Sequence, residues 1–141
     1  MPTEPPVLDS SAVSRLVLME RDWEAVDSLL QRAEDQDLVP KSLEFAKLET
    51  ANAIWKQVTR QRKINLDRAM LFLESLSTHP IDYLIADEVL MKEALRLGAK
   101  HRLTVYDSAF ITLADRSGGT LVTTDETQAK VAEKYVKVVV V

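Results

Sequence analysis

A chain of 141 residues suits one domain, and with 46% hydrophobic and 28% charged residues it holds enough apolar material for a core. Its formal net charge of −4 argues against indiscriminate coating of nucleic acid, which calls for a basic surface. It does not argue against a nuclease, whose carboxylate site is itself a cluster of negative charge. The absence of cysteine excludes disulfides, thiolate zinc sites and a cysteine nucleophile.

The opening MPTEPPVLD lacks a basic segment followed by an apolar one, and no run is long enough to cross a bilayer, so a cytoplasmic protein with no membrane partner is expected. Three of the five prolines stand in the first six residues, and that arm is expected to be extended or frayed until it enters a sheet. Val7-Leu8 reads as a short strand ending at Asp9. Ser11 to Met19 follows as a helix, with Ala12, Leu16 and Met19 at helical spacing. Asp22 is placed to cap a second helix whose inner face is Trp23, Val26, Leu29 and Leu30. Leu38-Val39-Pro40 reads as a brief strand stopped by Pro40.

Ser42 to Thr59 is predicted to be a long helix with an apolar stripe of Leu43, Leu48, Ala51, Ile54, Trp55 and Val58. Glu49, Asn52 and Lys56 border that stripe. A basic turn, Arg60 to Lys63, leads to Asn65, the expected cap of an amphipathic helix from Leu66 to Leu76. Pro80 to Ile85 reads as a strand. Asp87 opens a helix that turns Val89, Leu90, Ala94 and Leu97 inward. A further helix around Asp107, a Gly-Gly turn and the strand run Thr120 to Thr124 deliver Asp125. Glu126 to Tyr135 is a last short helix, and Val136 to Val141 is expected to be a strand buried on both sides. The order β-α-α-β-α-α-β-α-α-β-α-β implies an α/β fold with a mainly parallel sheet covered on both faces, a single domain spanning residues 1–141.

Asp107 falls on the same helical side as Phe110, Ile111 and Ala114, so it opens an apolar face, where a bare carboxylate is costly. Asp9 and Asp125 end strands, and ligands collect at the carboxyl ends of strands in open α/β sheets. Each aspartate alone is as well explained as a helix N-cap, and Glu49 alone as a charged residue bordering an apolar stripe. The joint pattern is more specific. Strands one and four can be central neighbours, which would unite Asp9 with Asp125, and the helices of Glu49 and Asp107 adjoin the same edge.

The pieces VLDSSA, LETANAI, TVYDSAFITLA and LVTTDE, in this order and spacing from Val7 to Val141, resemble the PIN-domain nucleases, in particular the VapC-like toxins of toxin–antitoxin pairs. The resemblance implies a three-layer α/β/α PIN-like fold and an acidic tetrad of Asp9, Glu49, Asp107 and Asp125 that binds Mg²⁺ or Mn²⁺. It aligns Ser11, Asn52 and Thr123 with groups that orient the carboxylates. It implies cleavage of RNA by metal-activated water to leave a 5′-phosphate and a 3′-hydroxyl, a cognate antitoxin and a homodimer. Hard divalent cations prefer carboxylate oxygen, so the residue types suit that chemistry. Asp9, Asp107 and Asp125 are then mainly metal ligands, and Glu49 orders the attacking water.

The basic run of Lys56, Arg60, Arg62 and Lys63, joined by Arg68, is a candidate contact for RNA phosphates, with Lys100 and Arg102 a second. A solvated helix end explains either run equally simply. A non-catalytic PIN-like module that binds RNA or protein is the chief alternative. A receiver-like phosphorylation domain would need an acidic pair near strand one, and Asp9 is followed by serines. An Asp-x-Asp phosphatase is excluded by Asp9-Ser10-Ser11.

Overall fold

The computed structural model describes residues 4–141, so the part of the proline-rich arm formed by Met1, Pro2 and Thr3 lies outside the described residues. The elements are β1 (Pro6–Leu8), α1 (Ser10–Leu18), α2 (Trp23–Asp35), β2 (Lys41–Leu43), α3 (Phe45–Thr59) and α4 (Leu66–Glu74). After a 3-10 turn at Ser75–Thr78 come β3 (Asp82–Leu84), α5 (Glu88–His101), α6 (Val105–Ser117), β4 (Thr120–Thr123), α7 (Glu126–Ala132) and β5 (Lys137–Val140). The alternation read from the sequence is therefore observed.

All strand pairings are parallel, in the order β3-β2-β1-β4-β5. Val7 pairs with Leu121 and Leu8 with Val122, so β1 and β4 are central neighbours. The chain winds outward through β2 and β3, then returns across β1 to β4. Right-handed crossovers put the two legs on opposite faces. Consistent with this, α3 packs on α1 and α4, while α5 packs on α6, which completes the α/β/α layering. The reversal of strand order lies between β1 and β4, where the carboxyl ends of neighbouring strands diverge and leave a crevice. The core under it is built from Leu8, Val13, Leu16, Leu43, Phe110, Ile111, Leu121 and Val122, all essentially inaccessible.

Two glycines make the α6–β4 connection. Gly118 ends α6 in the left-handed region, at φ 60°. Gly119 lets β4 approach β1: a Cβ there would stand 2.7 Å from the Pro5 carbonyl oxygen and 2.9 Å from Val7 Cγ2.

Several local expectations are corrected. The second strand is Lys41–Leu43, after Pro40 rather than before it, and α3 starts only at Phe45. Pro40 has no N–H to give to a ladder, but its carbonyl accepts from Asp82 N, and strand pairing begins there. The buried residues of α3 are Ala46, Thr50 and Ile54, while Leu48 and Trp55 are 75% and 48% exposed. The Thr50 hydroxyl lies 3.1 Å from that of Ser14 on α1. Small side chains thus bring these two helices together, a contact that a count of large apolar residues misses. Trp55 lies under the Arg60 guanidinium instead of in the core. Met19, the left-handed C-cap of α1, and Val89 are exposed. The terminal valines are only half-buried because β5 is an edge strand. Among the described residues no helix is long and apolar enough to cross a membrane.

Candidate active site

Asp9 is the first residue beyond β1 and the N-cap of α1, with extended backbone. Its Oδ1 accepts from Ser11 Oγ at 2.6 Å and from Ala12 N at 2.9 Å, and its Oδ2 accepts from Thr123 Oγ1 at 2.5 Å. Asp125, just beyond β4, caps α7 in the same way: its Oδ1 accepts from Thr127 N and Gln128 N. Capping and a site at the strand ends are therefore not alternatives here. Each cap uses one carboxylate oxygen; the other oxygen of Asp125 is left uncapped, while that of Asp9 is held by Thr123.

Asp107 is not the cap of α6. Thr104 is, accepting from Asp107 N at 3.1 Å, and Asp107 sits half-buried in the first turn. Glu49 lies one turn into α3, at the rim. The four carboxylates share one sheet edge closely enough to sense one another. Asp9 is held above the ordinary carboxylate range by burial, countered by the hydroxyls of Ser11 and Thr123 and the Ala12 N–H, and raised further by Asp107. Burial also raises Glu49, eased by the Ser10 hydroxyl and reinforced by the charges of Asp107 and Asp9. Asp107 is raised by burial and then by Asp125, with Thr104 opposing. Ser10 Oγ is buried outside standard hydrogen-bond geometry, so it steadies Glu49 by proximity and remains an underused polar group at the site.

A hydrogen-bonded frame supports these acids. Ser11 Oγ, while donating to Asp9, accepts from Thr124 N at 3.1 Å, which ties the end of β1 to the end of β4. Thr123, fully buried, accepts from Asp125 N at 3.0 Å and has two acceptors within reach of its one proton, Asp9 Oδ2 and Gln128 Oε1. An ionised Asp9 takes that proton. A protonated Asp9 can donate to Thr123 instead and release it to Gln128. Gln128, also fully buried, donates from Nε2 to the Asp107 carbonyl at 3.1 Å.

Gln128 escaped sequence reasoning, although Asp125-x-x-Gln128 has the spacing of a capping box. Its side chain does not reach back to Asp125 N, which Thr123 already satisfies. It bridges to α6 instead, a destination only the tertiary fold reveals. Asn52 is brought to the same rim but makes no side-chain hydrogen bond to a carboxylate among the described residues. Lys56, Arg60, Arg62 and Lys63 are exposed beyond it. At the rise of an α-helix, Lys56 lies about 10 Å and Arg60 about 16 Å along α3 from Glu49, so they stand off the carboxylates.

The residue types fit a hard divalent cation: Glu49, Asp107 and Asp125 keep carboxylate oxygens outside caps, and hydroxyls hold both oxygens of the buried Asp9. Among the described residues no three His, Cys, Asp or Glu side chains stand close enough to be a ready-made ligand shell. A cavity of about 360 Å³ adjoins Glu49, lined also by Ser10, Ser11, Arg15 and Thr124. A larger groove of about 490 Å³, lined by Leu29, Val136 and Val138 together with Glu4, Arg32, Glu133 and Lys137, contains none of the four acids.

The model of the PIN domain family matches residues 7–134. The chain is 32% identical over 135 residues to Ribonuclease VapC3 of Pyrobaculum aerophilum, covering 92% of this chain and 93% of that protein. Its fold is similar to the crystal structure of PAE2754 from Pyrobaculum aerophilum, with a TM-score of 0.69 over 95% of this chain and 90% of that one, at 22% identity, a likeness of fold alone. With its three-layer parallel architecture, and with a family match and a relative that both span most of its length, the chain belongs to the PIN domain family and is VapC-like.

Proposed function

We propose that this protein is a metal-dependent endoribonuclease and the toxin of a toxin–antitoxin pair. The observation that carries the reading is that Asp9 and Asp125 end the neighbouring strands β1 and β4 and are joined through the Thr123 hydroxyl, with Asp107 and Glu49 opening onto the same edge from α6 and α3. The name of the relative Ribonuclease VapC3 supports it. Asp9, Asp107 and Asp125 hold Mg²⁺ or Mn²⁺, with Glu49 completing the set. When bound, such an ion supplies Lewis acidity toward the phosphate and eases deprotonation of water. Glu49, the most exposed acid with a raised pKa, orients the attacking water and accepts its proton. Ser11 and Thr123 fix the Asp9 carboxylate, and Asn52 borders Glu49. Lys56, Arg60, Arg62 and Lys63 meet phosphates well away from the cleaved bond.

An antitoxin peptide that placed an arginine among the carboxylates would block the site. Leu66, Met70 and Leu71 on α4 are exposed apolar side chains suited to a homodimer contact, and a monomeric elution profile at micromolar concentration would count against it. The activity is tested by incubating purified protein with RNA with and without Mn²⁺. Metal-dependent products bearing 5′-phosphates are expected, and none from Asp107→Asn. Binding without cutting would favour the non-catalytic module.

A further inference from the structure

Tyr106 directly precedes Asp107 in the first turn of α6. It is 64% exposed, and among the described residues its hydroxyl makes no hydrogen bond. What holds its ring is aromatic contact. Its centroid lies 5.6 Å from that of Phe45, with the planes at 70°. Phe45 in turn packs on the buried Phe110, at 5.1 Å and 60°. The three rings form a brace from the core to the surface, ending in an open aromatic ring.

The position of that brace ties it to the acids. Phe45 and Glu49 are four residues apart on α3, so they share a helical face and are separated by about 6 Å along the axis. Tyr106 thus adjoins Asp107 in sequence and rests on Phe45, which shares a face of α3 with Glu49. Arg102, exposed at the left-handed cap of α5, is four residues before it and adds positive charge to the connection. A solvent-exposed ring that is already immobilised loses little freedom when a flat ligand covers it.

We propose that Tyr106, braced by Phe45, is a stacking platform for an unpaired nucleobase next to the phosphate that is cut. The inference rests on the nuclease reading of the carboxylates and adds a binding residue to it. A base paired within a duplex cannot offer its face to the ring, whereas a splayed single-stranded base can. Stacking made equally in ground and transition states appears in KM and leaves kcat nearly unchanged.

The test compares wild type with Tyr106→Phe and Tyr106→Leu on a single-stranded RNA carrying the fluorescent base analogue 2-aminopurine beside the cleaved bond. Binding is followed in Ca²⁺ and cleavage in Mn²⁺. Wild type and Tyr106→Phe should quench the analogue and share one KM. Tyr106→Leu should lose the quenching and raise KM by about 5- to 150-fold, the range for one base stack. Equal quenching and KM in Tyr106→Leu would overturn the platform, as would a Tyr106→Phe as impaired as Leu. A wild-type protein that cuts nothing in Mn²⁺ would overturn the nuclease reading itself, and the platform with it.

Discussion

Replacing Thr123 with valine keeps the shape of a fully buried side chain and removes one oxygen atom. That oxygen serves Asp9 Oδ2 at 2.5 Å and Asp125 N at 3.0 Å. A hydrogen bond to a charged group contributes about 1.5–3 kcal/mol, and the bond from the part-buried Asp125 N–H, which water can replace, about 0.5–1.5 kcal/mol. Asp9 keeps Ser11 and Ala12, so the loss does not reach the full cost of a bare buried charge. The sum, about 2–4.5 kcal/mol, is a large part of the stability of an ordinary domain. For a chain of this length it corresponds to a fall in Tm of about 5–15 °C. Because the oxygen also orients Asp9, Mn²⁺ affinity should fall about 10- to 100-fold. Differential scanning calorimetry and isothermal titration with Mn²⁺ measure the two effects separately, and Thr123→Ser should recover most of both. A valine variant that melts within about 1 °C of wild type and binds Mn²⁺ equally would refute the view that this hydroxyl supports Asp9.

Gln128→Leu should lower stability by about 1–3 kcal/mol in urea titration, since it removes two buried hydrogen bonds whose partners retain others; unchanged stability would show the bridge to Asp107 to be idle. Gly119→Ala should destabilise by about 1–3 kcal/mol, because its Cβ meets the Pro5 carbonyl and not a yielding side chain; a neutral result would place β1 farther from β4 than observed. Asp9, Glu49 and Asp107 carry folded pKa values above the ordinary carboxylate range. Their contribution to stability is therefore complete below that range and is lost as pH rises through the raised values. In chelator, wild type should gain Tm relative to Asp107→Asn as pH falls from neutral toward the ordinary carboxylate range, and saturating Mn²⁺ should remove that difference. A wild type that loses Tm relative to the variant over this interval would reverse the sign and refute the assignment.

The order of elements was legible in the residues because it rests on local chemistry. Asp9, Asn65, Asp87 and Asp125 all accept the backbone N–H groups expected of them, whereas Asp22, expected to cap α2, is in the left-handed region at φ 66° and makes no side-chain cap bond. The candidate acids were legible for a related reason. A carboxylate on an apolar helical face, as at Asp107, conflicts with the pattern around it.

Other features depended on what each segment packs against. Periodicity placed Leu48 and Trp55 inside, yet α3 meets α1 through Ala46 and Thr50, and the large side chains were left at the surface. The valine run at the end of the chain reads the same whether its strand is central or at an edge, and only the sheet order made it an edge. Neighbouring residues thus decided which segments became strands and helices and where the aspartates cap. Contacts between distant segments decided that Thr123 and Gln128 brace the acids and that Phe45 holds Tyr106 in the open, because a side chain's partner is set by the meeting of elements and not by its neighbours in sequence.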